Sequence, residues 1–315
     1  MLLKDKKVLV TGGSGFIGSH IVDELVKRNC ETTVIDDFSN GRVRNLEQSK
    51  KSITLIDKSI TNKKVIDDNV NVDVVFHEAA CNLVSSVRSP TTDLMVNTKG
   101  TLNILESIKE RSRKTVLVFA STGSIYGEPL YSPQDESHPC HPTSPYGISK
   151  LAAEQYVNFF AKEYGLKVVS LRYYNVIGTR QNYNDDGGVV PIFVRRMLKG
   201  EPPVIEGDGT QSRCFTSVED VVKANILAYE VDKGYGLAFN IATDEVTTIN
   251  ELANLVCFLS EKPLKPVYAK PRIGDIHDFA PSIRLASNVL GYSPQHRLKD
   301  VLPQIVEWMK CELRL

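Results

Sequence analysis

The chain has 315 residues, enough for one large domain or two moderate ones with a sizeable core. Its 38 Lys and Arg balance 38 Asp and Glu, so no overall field favours nucleic acid or an anionic membrane, and a small partner is expected. Six cysteines (Cys30, Cys81, Cys140, Cys214, Cys257 and Cys311) are scattered without a C-x-x-C pair, the N-terminus is too polar for a signal sequence, and no apolar run approaches membrane-spanning length; a soluble, cytoplasmic protein with free thiols is expected.

Val8–Val10 is a short apolar run of buried-strand type. The glycine-rich Thr11–Gly18 follows it directly, and then a helix in which Ile17, Ile21, Val22, Leu25 and Val26 recur at helical spacing until Arg28-Asn29. Gly12, Gly15 and Gly18, spaced G-x-x-G-x-x-G, allow a tight turn, backbone approach to a pyrophosphate and close helix–strand packing, with phosphate at the helix N-terminus. Such a turn alone can equally be only a loop. The next strand, Thr32–Ile35, ends in Asp36-Asp37, where a carboxylate about 20 residues on can accept adenosine ribose hydroxyls and repel a 2′-phosphate, favouring NAD over NADP. The plainer role of turn-former suits Asp37 better than Asp36.

Strands at Ile53–Leu55, Val72–Phe76 and Val116–Ala120, separated by helical or turn-rich sequence, predict an α/β fold with a doubly wound parallel sheet and ligands at the strand C-ends. His77-Glu78-Ala79-Ala80 falls at one such end: Ala79 and Ala80 leave room for a flat dinucleotide, whereas His77 reads as a hydrogen-bonded packing residue. A long helix is predicted from Thr91 to Arg111, with Leu94, Leu102, Leu105 and Ile108 towards the core and Asn97 as a polar interruption that kinks the helix or faces solvent. Val116–Ala120 runs into the hydroxyl-rich Ser121–Gly127, where one hydroxyl could bridge substrate and a base, or simply end the strand. His138-Pro139-Cys140-His141, in a proline-rich loop, lacks a fourth ligand at recognised spacing, so no metal is expected.

Ser144 as N-cap and Pro145 as first residue open a helix that places Tyr146 and Lys150 four positions apart on one face. A lysine charge about 5 Å from the phenol, at an effective dielectric of about 20, favours the phenolate by roughly 3 kcal/mol, or about two pKa units. With a positively charged nicotinamide nearby, the phenol would approach neutrality, where a general base works best. Alone, Y-x-x-x-K also occurs by chance on solvated helix faces.

Together these stretches resemble the extended short-chain dehydrogenase/reductase superfamily, in its NAD-dependent sugar-nucleotide epimerase/dehydratase branch. The residues that carry the resemblance are Thr11–Gly18, Asp36-Asp37, His77–Ala80, Ser121–Gly127, Tyr146–Lys150, Leu171–Gly178, Gly207–Arg213 and Arg272–Asp275, spread over nearly the whole chain. The resemblance implies a Rossmann-type domain over 1–178 to which about 213–245 returns, and a smaller α/β nucleotide-sugar domain from 179–212 and 246–315, with Lys199–Pro203 as the turn between domains. It implies NAD held by Gly12, Gly15, Phe16, Ile17, Gly18, Asp36, Asp37, Ser39, Asn40, Gly41, Ser59, Ile60, Ala79, Ala80, Asn97, Tyr146, Lys150 and Tyr173. Tyr146, Lys150 and Thr122 would carry the chemistry. Asn175 and Arg213 would meet the sugar-nucleotide diphosphate with Arg272 as a second cation, Asp275 the uridine ribose, and Val189, Val204 and Glu206 the uracil. A homodimer through helices at about 92–111 and 145–164 is also implied.

Dehydratases of the branch typically carry Thr-Asp-Glu where this chain has Thr122-Gly123-Ser124, and decarboxylases usually keep a glutamate where Ser124 stands. The resemblance therefore favours 4-epimerisation of a UDP-hexose. The bulk of Phe279, at the position that governs room for an N-acetyl group, favours UDP-glucose and UDP-galactose. A UDP-N-acetylhexosamine epimerase and another nucleotide-sugar dehydratase, decarboxylase or reductase are the alternatives; intact Tyr146 and Lys150 argue against a mere NAD or nucleotide-sugar sensor. The chain departs from the pattern at Lys58-Ser59-Ile60, where Ser59 replaces the aspartate that meets adenine, at Cys214, and at Pro281-Ser282.

Overall fold

The computed structural model describes residues 2–184, 186–260, 263–270 and 280–315. β1 (Lys7–Thr11) buries Val8, Leu9 and Val10 completely, as a strand covered on both faces must. β2 (Glu31–Asp36) pairs with it in parallel on one side and β4 (Val74–His77) on the other. β3 (Ile53–Asp57) extends the sheet beyond β2, while β5 (Val116–Thr122), β6 (Val168–Tyr173) and the strand Ala238–Ile241 extend it beyond β4, giving seven parallel strands in a Rossmann-like α/β fold. The chain thus turns to one side after β1 and to the other from β4, and the crevice at the C-ends of these two strands is the natural ligand site.

The helix after β1, α1 (Phe16–Lys27), buries Ile21, Val22 and Leu25 against the sheet. Two glycines let it approach: a Cβ on Gly12, whose φ is +69°, would lie 2.6 Å from the Ala79 nitrogen, and one on Gly18 would lie 2.2 Å from the Gly12 carbonyl oxygen. The helix Val218–Glu230 packs on α1, and its Val221, Ala224 and Ala228 join the same core. So do Ala286, Leu290 and Tyr292, which come from within the 246–315 segment expected in the smaller unit.

A second core gathers Val190, Phe193 and Val194 of the helix Val189–Leu198, Ile205, Leu252 and Val256 of the helix Ile249–Phe258, and Leu302 and Ile305 of the helix Leu298–Leu313. The 199–203 turn joins the helix Val189–Leu198 to the strand Val204–Glu206, both of which feed this core.

The helical stretch from Pro90 to Arg111 forms as expected but with a π-helical middle, Leu94–Gly100. That wider turn shifts the register of the side chains. Leu94, expected in the core, is 51% exposed, and Asn97, expected to interrupt the helix or face water, is fully buried. Its amide donates to Asp93 (2.7 Å) and Ser149 (3.0 Å), and its oxygen accepts from the Cys81 nitrogen (2.9 Å). Among the described residues no helix is long and apolar enough to cross a membrane.

Gly18→Ala should lower stability by about 1–3 kcal/mol, since the atom it meets is backbone and cannot turn aside. Equilibrium denaturation should show a reduced midpoint; an unchanged midpoint would contradict the close approach described here.

Candidate active site

The crevice begins with a backbone cradle. Gly15 donates from its nitrogen to the Gly12 carbonyl (3.1 Å), and a Cβ there would meet no atom but that same oxygen; its missing side chain is open space on the cavity wall. Asp36 ties the cradle to β2, its two carboxylate oxygens accepting from the nitrogens of Ser14 (2.8 Å) and Phe38 (2.9 Å). Asp37 accepts from the nitrogen (3.1 Å) and hydroxyl (2.6 Å) of Ser39. Burial opposes its ionisation, but these bonds and one from Ser59 hold it below the usual carboxylate range. Ser59 thus stays in the cavity at the departure noted in the sequence, bonded to Asp37 and Thr61.

Two adjoining cavities share Gly12, Gly15, Ser39, Asn40, Glu78 and Ala80. One adds Asp36, Asp37, Gly41, Ser59, Ile60 and Ala79; the other adds Phe16, Ile17, Gly18, Tyr146, Lys150 and Tyr173. Of the residues expected around the dinucleotide, Asn97 lies behind the wall, buttressing Cys81. A glycine wall at a helix N-terminus for phosphates, with carboxylates at the end of β2 for a ribose, fits NAD.

The corner that holds Tyr146 and Lys150 is built by the helix Pro145–Tyr164 against β5 and β6. Ser144 caps that helix by accepting from the Gly147 nitrogen (3.1 Å), and the Tyr146 nitrogen donates to the Ser86 hydroxyl (3.1 Å). The Tyr146 phenol is hydrogen-bonded to Thr122 and lines the cavity with Lys150. The expected lowering of the phenol is not what this cavity produces. Burial pushes Tyr146 up to about 12; the Thr122 bond lowers it, while Asp93 and Glu78 raise it further. Burial also pushes Lys150 down to about 8, against the pull of Glu78, Glu154 and Asp93. Burial, which disfavours the charged form of both groups, outweighs the attraction that the i, i+4 spacing suggested, and Asp93 and Glu78 add to it at the phenol.

Of the neighbouring hydroxyls, Ser121 donates to Glu154 (2.5 Å), which Arg172 also grips at 2.6 Å, so it belongs to a buried structural network. Ser124 stays beside Thr122 at 3.2 Å. His77 is the packing residue it was read as: its Nδ1 meets Thr11 (2.7 Å) and its Nε2 meets Thr101 (2.9 Å). The Thr101 hydroxyl donates to the Asn97 carbonyl (2.6 Å), so it accepts from Nε2–H. His138 bonds the Leu130 nitrogen and the Pro139 carbonyl, and no metal-binding group of three ligands exists among the described residues.

The expected sugar-nucleotide residues are placed less completely. Asn175 follows β6 with a φ of +35°, exposed, its carbonyl accepting from the Thr216 nitrogen (3.2 Å). Arg213 sits half-buried in a short strand paired with Thr247-Thr248; Val189 begins its helix, and Val204 and Glu206 share a strand paired with Val267–Ala269. None of these lines either cavity. Arg272, Asp275 and Phe279 lie outside the described residues. The cavity also takes in residues the sequence reading passed over: Glu78, Cys81, Asn82, Arg42, Asn45, Arg180, Asn182 and Asn184. Glu78 stands inside the noticed His77–Ala80 stretch, and Arg180 lies two residues past Leu171–Gly178, so position alone could have flagged both.

Residues 8–242 match the NAD dependent epimerase/dehydratase family. The chain is 38% identical over 307 residues to a putative UDP-glucose 4-epimerase of Methanocaldococcus jannaschii, covering 96% of this chain and 98% of that protein. The crystal structure of UDP-glucose 4-epimerase from Thermotoga maritima with UDP-glucose is similar with a TM-score of 0.92 at 39% identity, covering 98% of this chain and 99% of that one. A UDP-N-acetylglucosamine 4-epimerase from Methanobrevibacter ruminantium, in complex with UDP-N-acetylmuramic acid, is similar with a TM-score of 0.91 at 35% identity, with 98% and 99% covered.

His77 and His20 are held neutral. Burial, then the Lys150 charge, brings His77 from 6.5 to about 3; burial, then Arg180, brings His20 to about 4. Below pH 6.5 the unfolded chain therefore binds protons that the folded chain refuses, and the stability present above that pH is lost as pH falls. Unfolding free energy should decline from pH 6.5 towards 4, and His77→Gln should flatten part of that decline; an identical slope in the variant would contradict the assignment.

Proposed function

Because the chain belongs to the NAD-dependent epimerase/dehydratase family, we propose that it interconverts UDP-glucose and UDP-galactose by reversible oxidation at C4. The observation that carries this reading is the convergence of Tyr146, its Thr122 hydrogen bond and Lys150 on a cavity continuous with the glycine cradle. NAD held along the glycine cradle and Asp36 would supply reversible hydride acceptance for C4 and the positive charge of its oxidised ring. Tyr146 accepts the 4-hydroxyl proton and Thr122 steadies the phenol. Lys150 contributes a positive charge and holds the nicotinamide ribose. Asn175 and Arg213, with Arg272, anchor the diphosphate while the 4-keto sugar turns its other face to the same centre. Glu206, Val189 and Val204 cover the uracil, and Asp275 its ribose.

Thr122-Gly123-Ser124 supports epimerisation over dehydration or decarboxylation, since it carries no acid pair to drive water loss and no glutamate beside the threonine. The non-acetylated pair rests on Phe279, a residue of the sequence outside the described structure. A second reading, an epimerase of N-acetylated UDP-sugars, is favoured by the similarity to the Methanobrevibacter ruminantium enzyme.

We also propose a homodimer. Ile148 (58%), Tyr156 (42%) and Phe159 (49%) recur on one face of the helix Pro145–Tyr164 and are exposed, as are Leu94 and Met95 on the neighbouring helical stretch. A second copy of this face is the occupant that would cover them.

Purified protein incubated with UDP-glucose, UDP-galactose and the two N-acetylated forms, without added NAD, should interconvert only the first pair. Conversion of the acetylated pair would mean that Phe279 does not close the cavity; conversion of none, even with NAD added, would remove the epimerase reading. Tyr146→Phe should cut kcat by about 10²–10⁴-fold while NAD remains bound, and near-normal turnover would end its role as base. Light scattering should give twice the chain mass, falling to one chain for Phe159→Glu; a wild-type monomer would refute the dimer.

A further inference from the structure

Lys150 is 2% exposed, with its ammonium 4.3 Å from the centroid of the Phe119 ring. Three carboxylates face it: Glu154 from its own helix, Asp93 from the stretch before the π-helical turn, and Glu78 from the end of β4. Two are already engaged. Glu154 is held by Arg172 (2.6 Å) and by the Ser121 hydroxyl (2.5 Å), and Asp93 accepts from the Asn97 amide (2.7 Å) and from Ser149. Glu78 differs in both placement and bonding. It alone of the three lines the cavities, and it accepts a hydrogen bond from the Tyr173 hydroxyl at 2.9 Å. Tyr173 in turn accepts from the Asn225 amide at 2.8 Å, so each donor in the relay points towards Glu78, and the relay ends on an acceptor.

We propose that Glu78 is a positioning residue acting through Lys150: its carboxylate on the cavity wall keeps that buried lysine an ammonium, so the positive charge beside Tyr146 depends on Glu78. The proposal rests on the reading of Tyr146 and Lys150 as the reacting pair. A buried ammonium survives only with a compensating anion close by, and Glu78 is the compensating group open to the reaction space. Burial pushes Glu78 up and Lys150 down, and each charge works against the shift of the other. The other titratable groups nearby do not replace it. His77 faces Lys150 but is held neutral, Arg172 is committed to Glu154, and Tyr146 and Tyr173, which face Glu78, are phenols whose burial keeps them protonated.

The coupling of the two charges predicts two separable effects. Removing the charge at Glu78 lets Lys150 lose its proton at lower pH, which moves the alkaline limb of a rate profile down. Removing the Tyr173 hydrogen bond leaves the carboxylate less stabilised, which moves the acid limb up. A residue that only shaped the fold would lower the rate at every pH and move neither limb.

The test titrates Lys150 directly in the purified holoenzyme, by the pH dependence of its acetylation with acetic anhydride read by peptide mass spectrometry, alongside the pH profile of kcat. For Glu78→Gln the lysine titration and the alkaline limb should both move down by about one unit or more, whereas Glu78→Asp, which keeps the charge, should stay near wild type. Tyr173→Phe should raise the acid limb and leave the alkaline limb in place. An unmoved Lys150 titration in folded Glu78→Gln overturns the proposal; if that variant does not fold, an unmoved acid limb in Tyr173→Phe overturns it. If wild type converts no UDP-sugar, the catalytic reading fails, while the labelling titration still decides whether Glu78 holds the lysine charged.

Discussion

An ammonium ion buried at the C-terminal edge of a parallel sheet is the constraint on which this structure turns. Lys150 lies at 2% exposure against an aromatic ring, and burial of a charge is tolerable only where opposite charge is close. Three elements bring it there: the end of β4 carries Glu78, the Pro90–Asp93 helical stretch carries Asp93, and the lysine's own helix carries Glu154. Burial first, and then Asp93 and Glu78, work against ionising Tyr146, and the positive charge of an oxidised nicotinamide would work for it. A base that gains its strength only beside a cationic cofactor would be idle without that cofactor, which suits a centre that oxidises and then reduces the same carbon.

The sheet supplies the frame for that arrangement. Backbone contacts of 2.2 to 2.6 Å that any Cβ would make at Gly12 and Gly18 show how tightly α1 is drawn onto β1 and β4. Asp36 then fastens the loop to β2 with both of its oxygens, so the phosphate cradle and the ribose end of the cavity are one rigid piece. On the other side, the bonds of His77 to Thr11 and Thr101 lock β4 to β1 and to the helix behind it. The glycine cradle and the corner that holds Tyr146 and Lys150 therefore share one hydrogen-bonded scaffold.

Much of this was legible in the sequence because it depends on local pattern. Apolar runs marked the strands, glycine spacing marked the cradle, and Ser144-Pro145 marked the start of the helix that bears Tyr146 and Lys150. What was not legible depends on phase and on the sum of distant charges. Leu94 and Asn97 exchanged their expected positions because a π-turn shifts the helix by a fraction of a turn, a change that a 3.6-residue period does not register. The phenol's rise came first from burial and then from Asp93 and Glu78, which lie far from Tyr146 in sequence and close to it in space. Likewise nothing in the hydroxyl-rich Ser121–Gly127 stretch told that Ser121 is taken by Glu154, itself bound to Arg172.

The measurement that tests the account most directly follows a deuterium placed at C4 of UDP-glucose through a turnover. Internal oxidation and return at one centre predicts UDP-galactose that retains the deuterium at C4, with no exchange into water and no net change in NAD. Product that has lost the label to solvent, or a product altered elsewhere on the sugar, would contradict hydride return at this site.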